Sequence, residues 1–287
     1  MKPDPALLYL DLLKKTLSFT LWTEPPTPIT TFNRVRPPLK RFLVSAVSKV
    51  VGMANSLQPL NLQIVYERDI SERERTEGRL WPGYADTMIG LKRLDNLQHC
   101  IETVLREGVE GDFIETGVWR GGACIFMRAA LAAYGIEDRR VFVADSFEGL
   151  PKPDAEKYPA DEGDSLHINN FLAVSQEDVR NNFKKYGLLD DRVVFLKGWF
   201  KDTLPAAPMK KLSVLRLDGD MYGSTMESLE NLYPKLSNHG FCIIDDYGAV
   251  EGCRLAVNDY RAKHKIDSEI REIDGVGIYW RAGPKQA

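Results

Sequence analysis

Three carboxylates at the ends of two apolar runs are the strongest chemical signal in the chain. Asp218 follows Leu212-Ser213-Val214-Leu215-Arg216-Leu217 and opens an Asp-Gly-Asp turn. Asp245 and Asp246 follow Phe241-Cys242-Ile243-Ile244. In a parallel α/β sheet, ligands bind outside the carboxyl ends of the strands. Two neighbouring strands of this kind would bring all three acids to one point. Hard oxygen donors without Cys or His suit Mg²⁺ or Mn²⁺ rather than Zn²⁺. Aspartates also cap helices and form turns, but an Asp-Asp pair plus a third strand-end Asp exceeds what capping requires. Asp220 reads as a cap or a support for the ligands rather than as a ligand.

A second constellation is the turn Glu115-Thr116-Gly117-Val118-Trp119-Arg120-Gly121-Gly122. Its glycines allow close backbone approach to a ligand, and a helix follows at once. The pattern is not G-x-G-x-x-G. A carboxylate beside the turn would repel the pyrophosphate that a helix N-terminus otherwise attracts. It suits a cationic partner, such as the amino group of S-adenosylmethionine. Asp145, at the end of Val141–Ala144, stands where ribose hydroxyls are commonly accepted. Gly198-Trp199-Phe200 follows Val193–Leu196 at the same edge and offers an aromatic face to an adenine ring. The expected cofactor-binding residues are Glu115, Thr116, Gly117, Trp119, Asp145, Ser146, Gly198 and Trp199. Four further residues are candidates for an acceptor pocket: Trp81, Tyr84, Met88 and His167.

These residues need a scaffold, and the periodicity supplies one. Helical spacing of apolar residues predicts helices at 6–20, 39–57, 87–106, 123–134, 175–186 and 252–264. A further helix is expected between Asp218 and Leu236. Strands alternate with the later helices, at 112–115, 141–144, 193–196, up to Asp218 and up to Asp245. Alternating βα units imply a doubly wound, mostly parallel sheet. Two tail runs, 269–273 and 277–281, joined at Asp274-Gly275, predict a hairpin. An antiparallel terminal hairpin is typical of Rossmann-like methyltransferases and not of nicotinamide dehydrogenases. The expected fold is therefore a class I methyltransferase with a seven-stranded sheet and an N-terminal helical extension. Residues 1–80 form the lid and assembly segment, and 81–287 the catalytic domain. The charged segment 66–79 is expected to be exposed or mobile.

Composition narrows the partners. With net charge −3 and pI about 5.9, nothing suggests nucleic acid, which favours a basic surface. No uninterrupted apolar stretch approaches the length of a membrane span. Four cysteines without metal spacing fit a reducing cytoplasm. The apolar face of 39–57 suggests burial in a homo-oligomer.

Several segments together resemble a known family. Glu115–Ala123 (ETGVWRGGA), Val143–Gly149 (VADSFEG), Gly198–Thr203 (GWFKDT), Leu217–Thr225 (LDGDMYGST) and Gly240–Tyr247 (GFCIIDDY) are similar to the macrocin O-methyltransferase family. Tyr9–Lys15 and Thr87–Gln98 add to the resemblance, which covers roughly residues 6–22 and 80–282. About 40–50 residues after Trp22 look longer than the family's usual N-terminal segment. The resemblance implies methylation of a deoxysugar hydroxyl on a glycosylated natural product, as in antibiotic biosynthesis, with S-adenosylmethionine and Mg²⁺. It implies that Asp218, Asp245 and Asp246 hold the metal and that Asp218 also serves as general base. The alternatives are methylation of a catechol or other vicinal diol, which uses the same chelation, and a nicotinamide-dependent sugar oxidoreductase.

Overall fold

The computed structural model describes residues 4–29, 38–57, 62–66 and 70–283. Five parallel strands form the centre of the sheet: β1 (Asp112–Thr116), β2 (Val141–Asp145), β3 (Val193–Lys197), β4 (Leu212–Leu217) and β5 (Leu236–Ile244). The tail hairpin, β6 (Arg271–Glu272) and β7 (Ile278–Arg281), joins antiparallel through β7. The strand order is β3-β2-β1-β4-β5-β7-β6. All six residues of β4 are buried, as expected of a central parallel strand covered on both faces.

Helices cover both faces. Those that matter for the site are α1 (Pro5–Leu17), α2 (Pro38–Leu57), α3 (Glu72–Thr76), α4 (Leu91–Arg106), α5 (Gly122–Ala133), α6 (Gln176–Lys185), α7 (Phe200–Thr203), α8 (Tyr222–Leu232) and α9 (Glu251–Lys263). One apolar layer joins α1, α4 and α5 to the sheet, with Leu10, Leu13 and Leu17 buried beside Leu94, Ile101 and Phe126. Burying each such leucine contributes about 1.5–3 kcal/mol. The first helix is thus packed into the main core. Asp4 caps it, and its last carbonyl, Leu17 O, accepts from Asp86 N and Thr87 N.

Three expectations shift. The strand expected to begin at Phe241 begins at Leu236. Polar Ser237-Asn238-His239 and a left-handed His239 (φ 68°) hide its first half from pattern reading. The helix expected from 87 begins at Leu91. Segment 70–79 is ordered: Ser71 and Glu74 cap α3 reciprocally, and buried Glu77 takes ion pairs from Arg73, Arg79 and Lys92. Residues 67–69 lie outside the described residues. Among those described, no helix is long and apolar enough to cross a membrane.

Candidate active site

Register brings the acids together. Leu217 of β4 pairs with Ile244 of β5, so Asp218 and Asp245 leave their strands side by side. The edge is closed by backbone hydrogen bonds from the first residue beyond each strand. Gly117 N donates to Ala144 O (2.9 Å), Asp218 N to Thr116 O (2.8 Å), Asp245 N to Leu217 O (2.9 Å) and Gly198 N to Asp145 O (2.9 Å). At Gly117 (φ +80°) a Cβ would lie 1.8 Å from the Asp218 carbonyl oxygen. Only glycine fits there, because the neighbouring strand end occupies the space.

One oxygen from each of Asp218, Asp245 and Asp246 lies within 4.8 Å of the others. Two buried arginines reach into this cluster. Arg216, 1% exposed, donates from Nη1 to Glu115 Oε1 and to Asp218 Oδ2 (2.8 Å), and from Nη2 to Asp245 Oδ1. Arg93, on α4, donates from Nη1 to Asp245 Oδ2 and from Nε to Asp274 Oδ2 (2.7 Å). Asp274 in turn accepts Val276 N and Gly277 N in the hairpin turn. Glu115, Asp218, Asp245 and Asp274 thus share two cations, with Asp220 and Asp246 close by.

The imbalance shows in the acids themselves. Burial raises the Asp218 carboxyl above its ordinary range, Asp245 adds repulsion, and Arg216 opposes both. Burial and neighbouring carboxylates push Asp220 and Asp246 well above it. Asp246 Oδ2 is buried with no hydrogen-bond partner. An orphaned carboxylate oxygen beside two other carboxylates fits a hard divalent cation.

A cavity of about 500 Å³ opens from this cluster along the carboxyl edge. Gly117, Trp119, Asp145, Ser146, Gly198 and Trp199 line one side, and Asp218, Asp220, Met221 and Met88 another. Asp145 accepts Val118 N on Oδ2 and Phe147 N on Oδ1, each at 2.7 Å, so its orientation is fixed by backbone. Trp119 (φ 48°) and Asp220 (φ 56°) both adopt left-handed backbone at the cavity wall. Such strain costs about 1–3 kcal/mol and clusters at functional sites.

The loop after β2 covers the cavity with Leu150, Pro151, Tyr158 and Leu172. It is pinned to α8 by Asp161, which accepts Tyr222 N (2.6 Å) and Gly223 N (2.9 Å). The residue at the helix start, Met221, supplies no side-chain cap.

The expected site residues separate into two groups. Gly117, Trp119, Asp145, Ser146, Gly198, Trp199, Asp218 and Met88 meet at the cavity wall. Glu115 and Thr116 are buried at the end of β1. The carboxylate expected to be free for a cationic ligand already holds Arg216 and accepts the Cys124 thiol (2.9 Å). Burial raises Glu115, while Arg216 pulls it down. Trp81 lies outside the wall but stacks on Phe171, which packs on Trp119. Tyr84 stacks on Phe19. His167 sits in a single turn, Leu166–Ile168, away from the cavity wall, and its Nδ1 is buried without a partner. Sequence reasoning missed Arg216, Arg93, Asp161 and Asp274. Arg216 alone left a signal, as a charge inside an apolar run.

Comparison with known proteins agrees with this geometry. Residues 6–282 match the macrocin-O-methyltransferase (TylF) family. The 8-demethyl-8-(2,3-dimethoxy-alpha-L-rhamnosyl)-tetracenomycin-C 4'-O-methyltransferase of Streptomyces olivaceus is 50% identical over 282 residues, 98% of this chain and 95% of that protein. The mycinamicin III 3''-O-methyltransferase of Micromonospora griseorubida is 48% identical over 285 residues, 98% of this chain and 99% of that protein. The N-terminal stretch expected to exceed the usual length therefore lies within a match of nearly full length. The solved structure of the O-methyltransferase NovP superposes with a TM-score of 0.80 at 44% identity, covering 97% of this chain and 100% of that one.

Proposed function

The chain belongs to the macrocin-O-methyltransferase (TylF) family and is an S-adenosylmethionine-dependent O-methyltransferase, and we propose that its acceptor is a deoxysugar hydroxyl on a glycosylated natural product. The observation that carries this reading is the acid trio, whose Asp218 lines the cavity that Asp145 also lines. The sugar-methylating relatives, aligned over nearly their full length, support the acceptor class.

Asp218, Asp245 and Asp246 would hold Mg²⁺, which would supply Lewis acidity toward an acceptor hydroxyl. S-adenosylmethionine supplies the methyl group as a sulfonium electrophile. The chain's own residues do the rest. Asp145 and Ser146 would hold the ribose end of the cofactor, and Trp199 would lie on its adenine side. Arg216 fixes Asp218 through Oδ2, and Asp218 would accept the acceptor's proton. The covering loop excludes water, and the rigid strand ends align oxygen, methyl and sulfur. Met88, on the cavity wall, and Trp81, stacked on Phe171, would lie on the acceptor side.

The exposed apolar face of α2, with Leu39, Phe42, Leu43, Val50 and Met53, supports a homo-oligomer, which light scattering would test.

The function is tested by incubating the protein with S-adenosylmethionine and either glycosylated or phenolic acceptors, with and without a chelator. A methyl-sized mass gain on the glycoside alone, lost with the chelator, is expected. Gain on the phenol alone overturns the acceptor assignment.

A further inference from the structure

Glu115 and Arg216 are register partners on adjacent parallel strands. Their side chains lie on the same face, 3% and 1% exposed, and form an ion pair. Arg216 uses the same nitrogen for Glu115 and Asp218, and its other terminal nitrogen for Asp245. One guanidinium therefore touches the acid that precedes the cofactor turn and two of the three acids assigned to the cation. Planar, rigid forks of this kind fix carboxylates in one orientation, which lysine cannot do.

Glu115 is one of three carboxylates on Arg216, so its loss leaves the guanidinium to Asp218 and Asp245 alone and frees it to shift against them. Glu115 thus stands behind the acidic site, one residue removed from it. It is also screened from the cavity, whose wall begins beyond it at Gly117.

We propose that Glu115 and Arg216 are positioning residues of the cation site: Glu115 neutralises and orients Arg216, and Arg216 holds Asp218 and Asp245 in the geometry that receives the divalent ion. The inference rests on the metal-site reading above. It gives Glu115 a task different from binding the amino group of the cofactor, and the two tasks separate experimentally.

The test uses full-length Glu115→Gln beside the unaltered protein, with Mn²⁺ as a paramagnetic probe of the cation site and S-adenosylhomocysteine as the cofactor probe. Mn²⁺ binding is followed by electron paramagnetic resonance and S-adenosylhomocysteine binding by calorimetry. We expect Mn²⁺ affinity to fall at least tenfold while S-adenosylhomocysteine affinity changes less than threefold. A selective loss of S-adenosylhomocysteine affinity overturns the inference and returns Glu115 to the cofactor. Unchanged affinity for both probes also overturns it. No Mn²⁺ binding by the unaltered protein overturns the metal reading itself, and this inference with it. If Glu115→Gln does not fold, Arg216→Lys keeps the charge but loses the fork. The same selective loss of Mn²⁺ affinity is expected of it, and normal Mn²⁺ affinity in that variant overturns the proposal.

Discussion

The rings of Trp81 and Phe171 lie 7° from parallel with centroids 5.8 Å apart. Phe171 also packs on Trp119, whose indole Nε1 donates to Phe171 O (2.9 Å). The contact chain runs from a 41% exposed tryptophan to the wall of the cavity. Stacked pairs contribute about 0.5–1.5 kcal/mol beyond burial. Trp81→Ala should therefore cost little stability and raise KM for a glycosylated acceptor by up to about tenfold. KM for S-adenosylmethionine should stay unchanged. Steady-state kinetics with each substrate varied in turn checks this; an equal rise in both constants counts against an acceptor role.

Asp145 faces backbone N–H donors with both oxygens. Asp145→Asn turns one acceptor into a donor against a donor, a mismatch worth about 1–3 kcal/mol. S-adenosylhomocysteine affinity should fall about tenfold or more by the same arithmetic. Calorimetry reads this directly, and a Kd within twofold of the parent removes Asp145 from the cofactor site.

The acidic cluster predicts an unusual pH dependence. Asp218, Asp220 and Asp246 are raised in the folded chain by burial first and then by neighbouring carboxylates, Asp245 among them in each case, against about 3.9 when unfolded. The folded state then binds more protons across that window, so stability falls as pH rises through the raised values. Chelated protein should melt higher near pH 5.5 than near pH 7.5, and Mg²⁺ should raise Tm more at the higher pH. Thermal melts at both pH values decide it. An equal Mg²⁺ effect at both would dissociate these carboxyls from the cation.

Leu10 is fully buried between α1 and the main core. Leu10→Ala should destabilise by about 2–5 kcal/mol. An unfolding free energy, from denaturant titration, lowered by less than about 1 kcal/mol would mark α1 as peripheral to the fold.

Much of this was legible in the sequence because parallel strands end abruptly at charge. The burial of all six β4 residues makes Asp218 the natural end of its run, and Ile244 does the same for Asp245. The partners were not legible. Arg216 reaches Glu115 across 101 positions, and Arg93 reaches Asp245 across 152. Such pairings depend on register and helix placement rather than on local pattern. Asp161 caps α8 from 61 positions away, where neighbouring residues give no sign of it. Glu115 shows the cost of reading a turn alone: its charge is spoken for by the next strand.

The close approach of Gly117 to the Asp218 carbonyl makes the glycine turn after β1 and the acid-bearing strand end a single fixed jig. Neither half can retreat to admit a bulkier acceptor without opening the sheet. A lineage of such enzymes would diversify by exchanging segments of the mouth, such as the loop after β2 that lines the cavity, while the jig stays constant. Grafting those segments from a relative is the economical route to a new regiochemistry, since any redesign that begins at Gly117 dismantles the tool it means to redirect.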